Sequence, residues 1–141
     1  MVTTLEGIAQ DLPPGRSAPC GRVAIVGLGF AGGALAQLLT QRGYRVTVFE
    51  QSPHPGPVGA GILLQPSGRA VLDHLGLQEA YVGAEPIDRL YARTHQGKPL
   101  MDLRFSELRP LGVARGQLFQ ALLSKLQGVE LRTGCRVSTF E

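Results

Sequence analysis

The stretch Val23-Ala24-Ile25-Val26-Gly27-Leu28-Gly29-Phe30-Ala31-Gly32, with its continuation to Glu50 (in full VAIVGLGFAGGALAQLLTQRGYRVTVFE), decides the fold. Val23 to Val26 is an apolar run suited to a strand buried on both faces. Gly27, Gly29 and Gly32 follow at once in the spacing G-x-G-x-x-G. A helical pattern comes next, with Ala31, Ala34, Leu35, Leu38 and Leu39 expected on one apolar side and Gly43 closing it. Arg45 to Phe49 reads as a second strand, ending in Glu50. Each glycine has a physical reason. Gly27 allows a tight turn, Gly29 lets the backbone approach a pyrophosphate, and Gly32 lets helix and strand pack closely. Free N–H groups at the helix start suit phosphate charge, and Glu50 stands where an acid accepts hydrogen bonds from a ribose. The stretch therefore predicts a strand, glycine turn, helix and strand that hold a dinucleotide.

An apolar segment with these limits also admits a membrane or secretory reading. Residues 23–36 carry no polar side chain, Arg22 precedes them, and Ala34-Leu35-Ala36 imitates a signal-peptidase site. The glycines fall where the turn needs them, however. Gln37, Thr40, Gln41 and Arg42 then interrupt the run before it reaches the roughly 20 residues of a span.

Composition narrows the class further. The 141 residues suffice for one modest domain, and 43% hydrophobic with 18% charged residues suits a folded globular chain. A net charge of +3, without a basic cluster interleaved with aromatics, gives no ground for nucleic acid as a partner. Cys20 and Cys135 lie far apart without metal-ligand spacing, as expected of reduced cytoplasmic thiols. His54, His74 and His95 are scattered and read as surface or loop residues, so no metal ligand is named.

Outward from the central stretch, residues 1–21 read as a flexible leader. Residues 51–61, with Pro53, Pro55, Pro57, Gly56, Gly59 and Gly61, must form an irregular loop. Ile62 to Leu64 is a short extended run. Pro66-Ser67 then opens a helix carrying Ala70, Val71, Leu72 and Leu75, capped by Gly76, and Leu77 to Tyr81 adds a turn. Ile87 to Arg93 and Pro99 to Phe105 flank Gln96-Gly97 as an antiparallel hairpin beside the main sheet. Arg115 to Leu126 has helical spacing, with Leu118, Leu122, Leu123 and Leu126 on one face. Val129 to Arg132 and Cys135 to Phe140 read as two strands around Thr133-Gly134. Ending in such a strand, the chain reads as the front portion of a longer polypeptide.

Four segments in this order resemble the amino-terminal part of the single-component FAD-dependent monooxygenases, the flavoprotein aromatic hydroxylases. They are the central stretch, then GAGILLQP (59–66) with its helix ending in Leu75-Gly76-Leu77, then Val113-Ala114-Arg115-Gly116-Gln117-Leu118, and LRTGCRV (131–137). The first is shared by many flavoproteins and NAD enzymes; the second discriminates. The resemblance implies an α/β, Rossmann-like FAD-binding domain over 22–141, with a partial parallel sheet and an inserted β-hairpin, C-terminally incomplete. It implies that Gly27, Gly29 and Gly32, with Phe30 and Ala31 between the last two, hold the FAD pyrophosphate. Glu50 takes the ribose of the AMP half, with Gln51 beside it. Arg115 contacts the ribityl and pyrophosphate side, and the Val137 backbone meets the adenine. An arginine opening a helix opposes the helix dipole, which suggests a role other than helix stability.

The activity so implied is NADH- or NADPH-driven hydroxylation of a small aromatic substrate in the cytoplasm, with no membrane or nucleic-acid partner. Another FAD or NAD oxidoreductase sharing the first motif, or a non-catalytic nucleotide-binding remnant, are the alternatives. Gln51 departs from the family's basic residue and Ser67 from its asparagine. The family's later Asp-Gly and Gly-Asp motifs do not occur in these residues. No side chain qualifies as a general base, so no catalytic residue is named, and the chain alone is expected to be inactive.

Overall fold

The computed structural model describes residues 20–56, 59–107 and 109–139. It is an α/β structure built on a parallel three-stranded sheet. Strand β1 (Arg22–Val26) leads through helix α1 (Phe30–Gln41) to β2 (Arg45–Phe49), and β8 (Glu130–Arg132) lies on the far side of β2. β1 and β2 pair in parallel from Arg22 opposite Arg45 to Val26 opposite Phe49, and β2 pairs with β8 from Thr47 opposite Glu130 to Phe49 opposite Arg132. The in-register ends bring Gly27, Glu50 and Thr133 to one edge, the carboxyl edge, where ligands of such sheets bind.

A second, antiparallel sheet has β7 (Leu111–Ala114) between β3 (Gly61–Leu64) and β4 (Glu85–Pro86). Between β3 and β4 run α2 (Pro66–His74) and a 3-10 turn at Gln78–Tyr81. Pro66 opens α2, where its missing N–H costs nothing, and Gly76 with φ of 68° ends it. The expected hairpin forms as β5 (Arg89–Arg93) and β6 (Pro99–Arg104). It makes a two-stranded sheet of its own rather than extending the parallel one. Arg89 and Asp102 join its strands through two hydrogen bonds of 2.6 and 2.8 Å, on the face that also carries Tyr91.

Helix α1 departs from the one-sided pattern expected of it. Ala31 is exposed and Leu35 is 45% exposed, whereas Gly33, Ala36 and Gln37 are buried. The reason is that α1 packs on two sides at once. Ala36 and Leu39 meet Ile25, Val46 and Val48 of the parallel sheet and Leu28 of the glycine turn. Phe30, Ala34 and Leu38 meet a second cluster built from α2 and α3 (Arg115–Ser124), including Leu72, Leu118 and Leu122. The small residues Gly33 and Ala36 occupy the line between these surfaces, where larger side chains would hold the layers apart.

Gln37 lies on this line with 4% exposure, and its Nε2 donates to the Leu122 carbonyl at 2.7 Å. Leu122 is in the last turn of α3, whose carbonyls have no partner within the helix. The side chain that interrupts the apolar run in sequence thus satisfies a helix end in space.

The carboxyl-terminal expectation needs correction as well. Residues 130–132 form a strand, but 133–139 are irregular, and Phe140 lies outside the described residues. The N–H of Gly134 bonds to the Ser52 carbonyl at 3.1 Å and that of Cys135 to the Glu50 carbonyl at 2.9 Å. These bonds fold the segment over the end of β2, so it does not turn back along β8. The leader expected over residues 1–21 lies outside the described residues up to position 19.

Gln37→Leu keeps the volume but leaves the Leu122 carbonyl buried without a donor. The expected loss is about 1–3 kcal/mol of unfolding free energy, measured by urea denaturation; an unchanged midpoint would show that the bond adds nothing to the packing of α1 on α3.

Candidate functional site

The site is assembled at the carboxyl edge from three parts. In the first, β1 ends at Gly27, whose φ of 95° is one that an L side chain adopts only with strain. The Gly27 N–H reaches the Phe49 carbonyl at 2.8 Å, which ties the turn to β2. A β-carbon on Gly32 would overlap the Gly27 carbonyl oxygen, so only glycine lets α1 start this close to the strand. Gly29 stands at the helix N-cap with an extended φ of −84° and has open space in front of its Cα. Neither a side-chain cap nor an acid in the first turn occupies the start of α1. Its first N–H groups, those of Phe30, Ala31 and Gly32, precede the first helical bond, from Gly33 N to Gly29 O. This is a cradle for an anion, with the helix dipole in its favour.

Glu50 supplies the second part. Its Oε2 accepts from the Leu28 N–H at 2.7 Å and its Oε1 from the Ser52 N–H at 2.8 Å. The carboxyl lies below its ordinary value, first because Ser52 and then Leu28 donate to the charged form, while partial burial opposes them and the Gln51 N–H adds to the lowering. Each oxygen spends one lone pair on the backbone and keeps another for a hydroxyl. The main chain of Glu50 is fixed too, since its N–H bonds to the Arg132 carbonyl at 2.8 Å.

Arg115, the first residue of α3, is the third. Its N–H bonds to the Ala60 carbonyl at 3.1 Å, which seats the helix start on the loop before β3. Its guanidinium lies 5.4 Å from the centre of the Phe30 ring, next to the glycine turn. The salt bridges among the described residues leave Arg115 without a carboxylate partner. A planar cation of this kind suits phosphate oxygens.

Gly27, Gly29, Phe30, Ala31, Gly32, Glu50 and Arg115 therefore converge. Gln51 follows Glu50 with its side chain exposed. Val137 is half-buried in the irregular tail, two residues past the bond from Cys135 to Glu50. His54, His74 and His95 are all exposed. The backbone donors at Leu28 and Ser52 carry no signal in the sequence, whereas Gly59, beside the Arg115 stem, opens the segment GAGILLQP that discriminates the resemblance.

Site and sheet together define an α/β domain of the Rossmann type, and residues 25–74 match the family described as NAD(P)-binding Rossmann-like domain. The chain is similar, over part of their length, to FAD-dependent monooxygenases and aromatic hydroxylases. It is 40% identical over 77 residues to 6-hydroxynicotinate 3-monooxygenase of Pseudomonas fluorescens, which covers 53% of this chain and 20% of that protein. It is 32% identical over 127 residues to the FAD-dependent monooxygenase ntnJ of Nectria sp, covering 85% and 30%. Among solved structures, 2-methyl-3-hydroxypyridine-5-carboxylic acid oxygenase superposes with a TM-score of 0.65 at 29% identity, over 80% of this chain and 31% of that one. The chain thus spans between a fifth and a third of these proteins. No helix among the described residues is long and apolar enough to cross a membrane.

The lowered carboxyl of Glu50 has a consequence in acid. A group whose folded pKa is depressed contributes stability above its unfolded value, ordinarily 4.5, and loses it as the pH falls through the folded value. The unsubstituted chain should therefore lose more stability than Glu50→Gln as the pH is lowered from about 5 to about 3. Denaturation midpoints across that range check this, and parallel curves for the two proteins would refute it.

Proposed function

We propose that the chain is the FAD-binding portion of an NAD(P)H-dependent flavoprotein monooxygenase that hydroxylates a small aromatic substrate. One observation carries the reading: an uncapped helix start, a backbone-held carboxylate and an arginine that has no carboxylate partner among the described residues lie together at the carboxyl edge of a parallel sheet. Those groups fit the two ends of an adenosine diphosphate ester. The N–H groups of Phe30, Ala31 and Gly32 receive the diphosphate, with Gly29 leaving room for its oxygens. Glu50 accepts from the ribose hydroxyls, with Gln51 at the rim. Arg115 neutralises diphosphate charge from the opposite side and reaches toward the ribityl chain. The Val137 backbone meets the adenine.

When bound, FAD supplies the redox chemistry, taking reducing equivalents from NADH or NADPH and delivering oxygen to the ring. These residues bind and orient it; none of them moves a proton in the reaction. The names of the relatives, hydroxynicotinate and hydroxypyridine oxygenases among them, support an aromatic substrate. The free thiols of Cys20 and Cys135 support a cytoplasmic location.

The family matched over 25–74 favours a second reading, in which a nicotinamide dinucleotide is the resident ligand. Titrating the purified chain with FAD, NADH and NADPH in parallel separates the two. FAD should bind most tightly and leave the yellow absorbance of oxidised flavin on the protein. Preference for a nicotinamide nucleotide would overturn the proposal. Glu50→Ala should weaken FAD by about 10- to 100-fold, roughly 1.5–3 kcal/mol, through loss of a charge-assisted acceptor. Unchanged affinity would remove Glu50 from the site.

A further inference from the structure

We infer that the Phe30 side chain is a positioning residue: its ring is the platform that aims the Arg115 guanidinium at the diphosphate cradle. The inference rests on the FAD reading above and adds a function for a side chain whose place in the motif requires only its backbone N–H.

An arginine on the surface samples many rotamers, and holding one of them costs side-chain entropy. Arg115 is exposed and has no carboxylate to hold it among the described residues. The Phe30 ring confines it. The guanidinium carbon lies 5.4 Å from the Phe30 ring centre, within the range of a cation–π contact. The stem runs past Gly59, where a β-carbon would come to 3.4 Å from Cδ and 3.7 Å from one terminal nitrogen. Gly59 has φ of 97°, so a side chain there would be strained, although its β-carbon would only touch the stem at ordinary contact distance.

The platform itself is fixed. Phe30 is half-buried and packs against the cluster of α2 and α3, and its ring meets Phe119 edge-on at 6.4 Å and 71°. Phe119 lies in the first half of α3, the helix that Arg115 opens. The starts of α1 and α3 are therefore joined through Phe30, and the arginine keeps its place relative to the Phe30, Ala31 and Gly32 N–H groups. A cation–π contact does this without neutralising the charge, as an ion pair with a carboxylate would. The guanidinium keeps its N–H donors for the ligand.

The test measures FAD affinity of the chain by flavin fluorescence, for the unsubstituted protein, Phe30→Leu, Phe30→Tyr, Arg115→Gln and the double variant Phe30→Leu with Arg115→Gln. Phe30→Leu should raise Kd by about 5-fold, and Phe30→Tyr, which keeps the ring, should restore most of that loss. In the Arg115→Gln background Phe30→Leu should add less than about 2-fold, because the two changes remove one interaction. A ring that only stabilises α1 would instead cost the same factor in both backgrounds and track the thermal midpoint; that result overturns the inference. Unchanged affinity in Phe30→Leu overturns it too while leaving the FAD reading intact. If the unsubstituted chain takes up no FAD, the proposed function falls and the inference with it.

Discussion

The close approach of α1 to the end of β1 is the constraint on which the rest depends. It exists because Gly32 has no β-carbon to meet the Gly27 carbonyl. With that contact allowed, the helix starts directly above the strand end, and its unpaired N–H groups open onto the carboxyl edge of the sheet. The same approach drives Ala36 and Leu39 onto Val46 and Val48. A wider separation would leave a gap in that cluster, and interiors pack too densely to tolerate one cheaply. Binding geometry and core packing are thus consequences of a single missing methyl group.

Glu50 extends the constraint across the sheet. Its carboxylate holds the glycine turn through Leu28 and the following loop through Ser52, while its main chain bonds to Arg132 and Cys135. Four segments meet at this residue. A half-buried carboxylate at a strand end would ordinarily be disfavoured, and backbone donors compensate for the lost hydration. The arrangement also orients the remaining lone pairs, so that a ribose diol would meet an acceptor already in place. Arg115 is the opposite case. At the first position of α3 its charge opposes the helix dipole by roughly 0.3–1 kcal/mol, and Phe30 rather than an acid holds it. Arg115 is thus not placed where its own helix would be most stable.

Local pattern and turn chemistry account for most of the elements. The alternation in 87–105, Pro66 at a helix start, Gly76 at its end, and the glycine turn itself all act within a few residues, so their physics is written in adjacent letters. The irregular path of 133–139 could not be read this way. Its strand-like composition yields to two long-range bonds, from Gly134 to Ser52 and from Cys135 to Glu50. Helix α1 departs from its sequence pattern for a related reason. Its apolar residues suggest one buried side, but packing between two clusters buries Gly33, Ala36 and Gln37 and leaves Leu35 in solvent.

By itself, the sequence determined the nucleotide-binding unit from Val23 to Glu50 and the identity of its glycines and acid. Those choices answer local steric demands: a positive φ, a missing β-carbon, an acceptor at a strand end. Only the tertiary structure decided that Gln37 would satisfy the Leu122 carbonyl, that Leu28 would hold the Glu50 carboxylate, and that Phe30 would face Arg115. Each of these joins residues on different elements, Phe30 and Arg115 being 85 positions apart in the chain. Nothing in either neighbourhood specifies such a pair. It arises when the sheet, the two clusters and the loop before β3 fix where the elements begin.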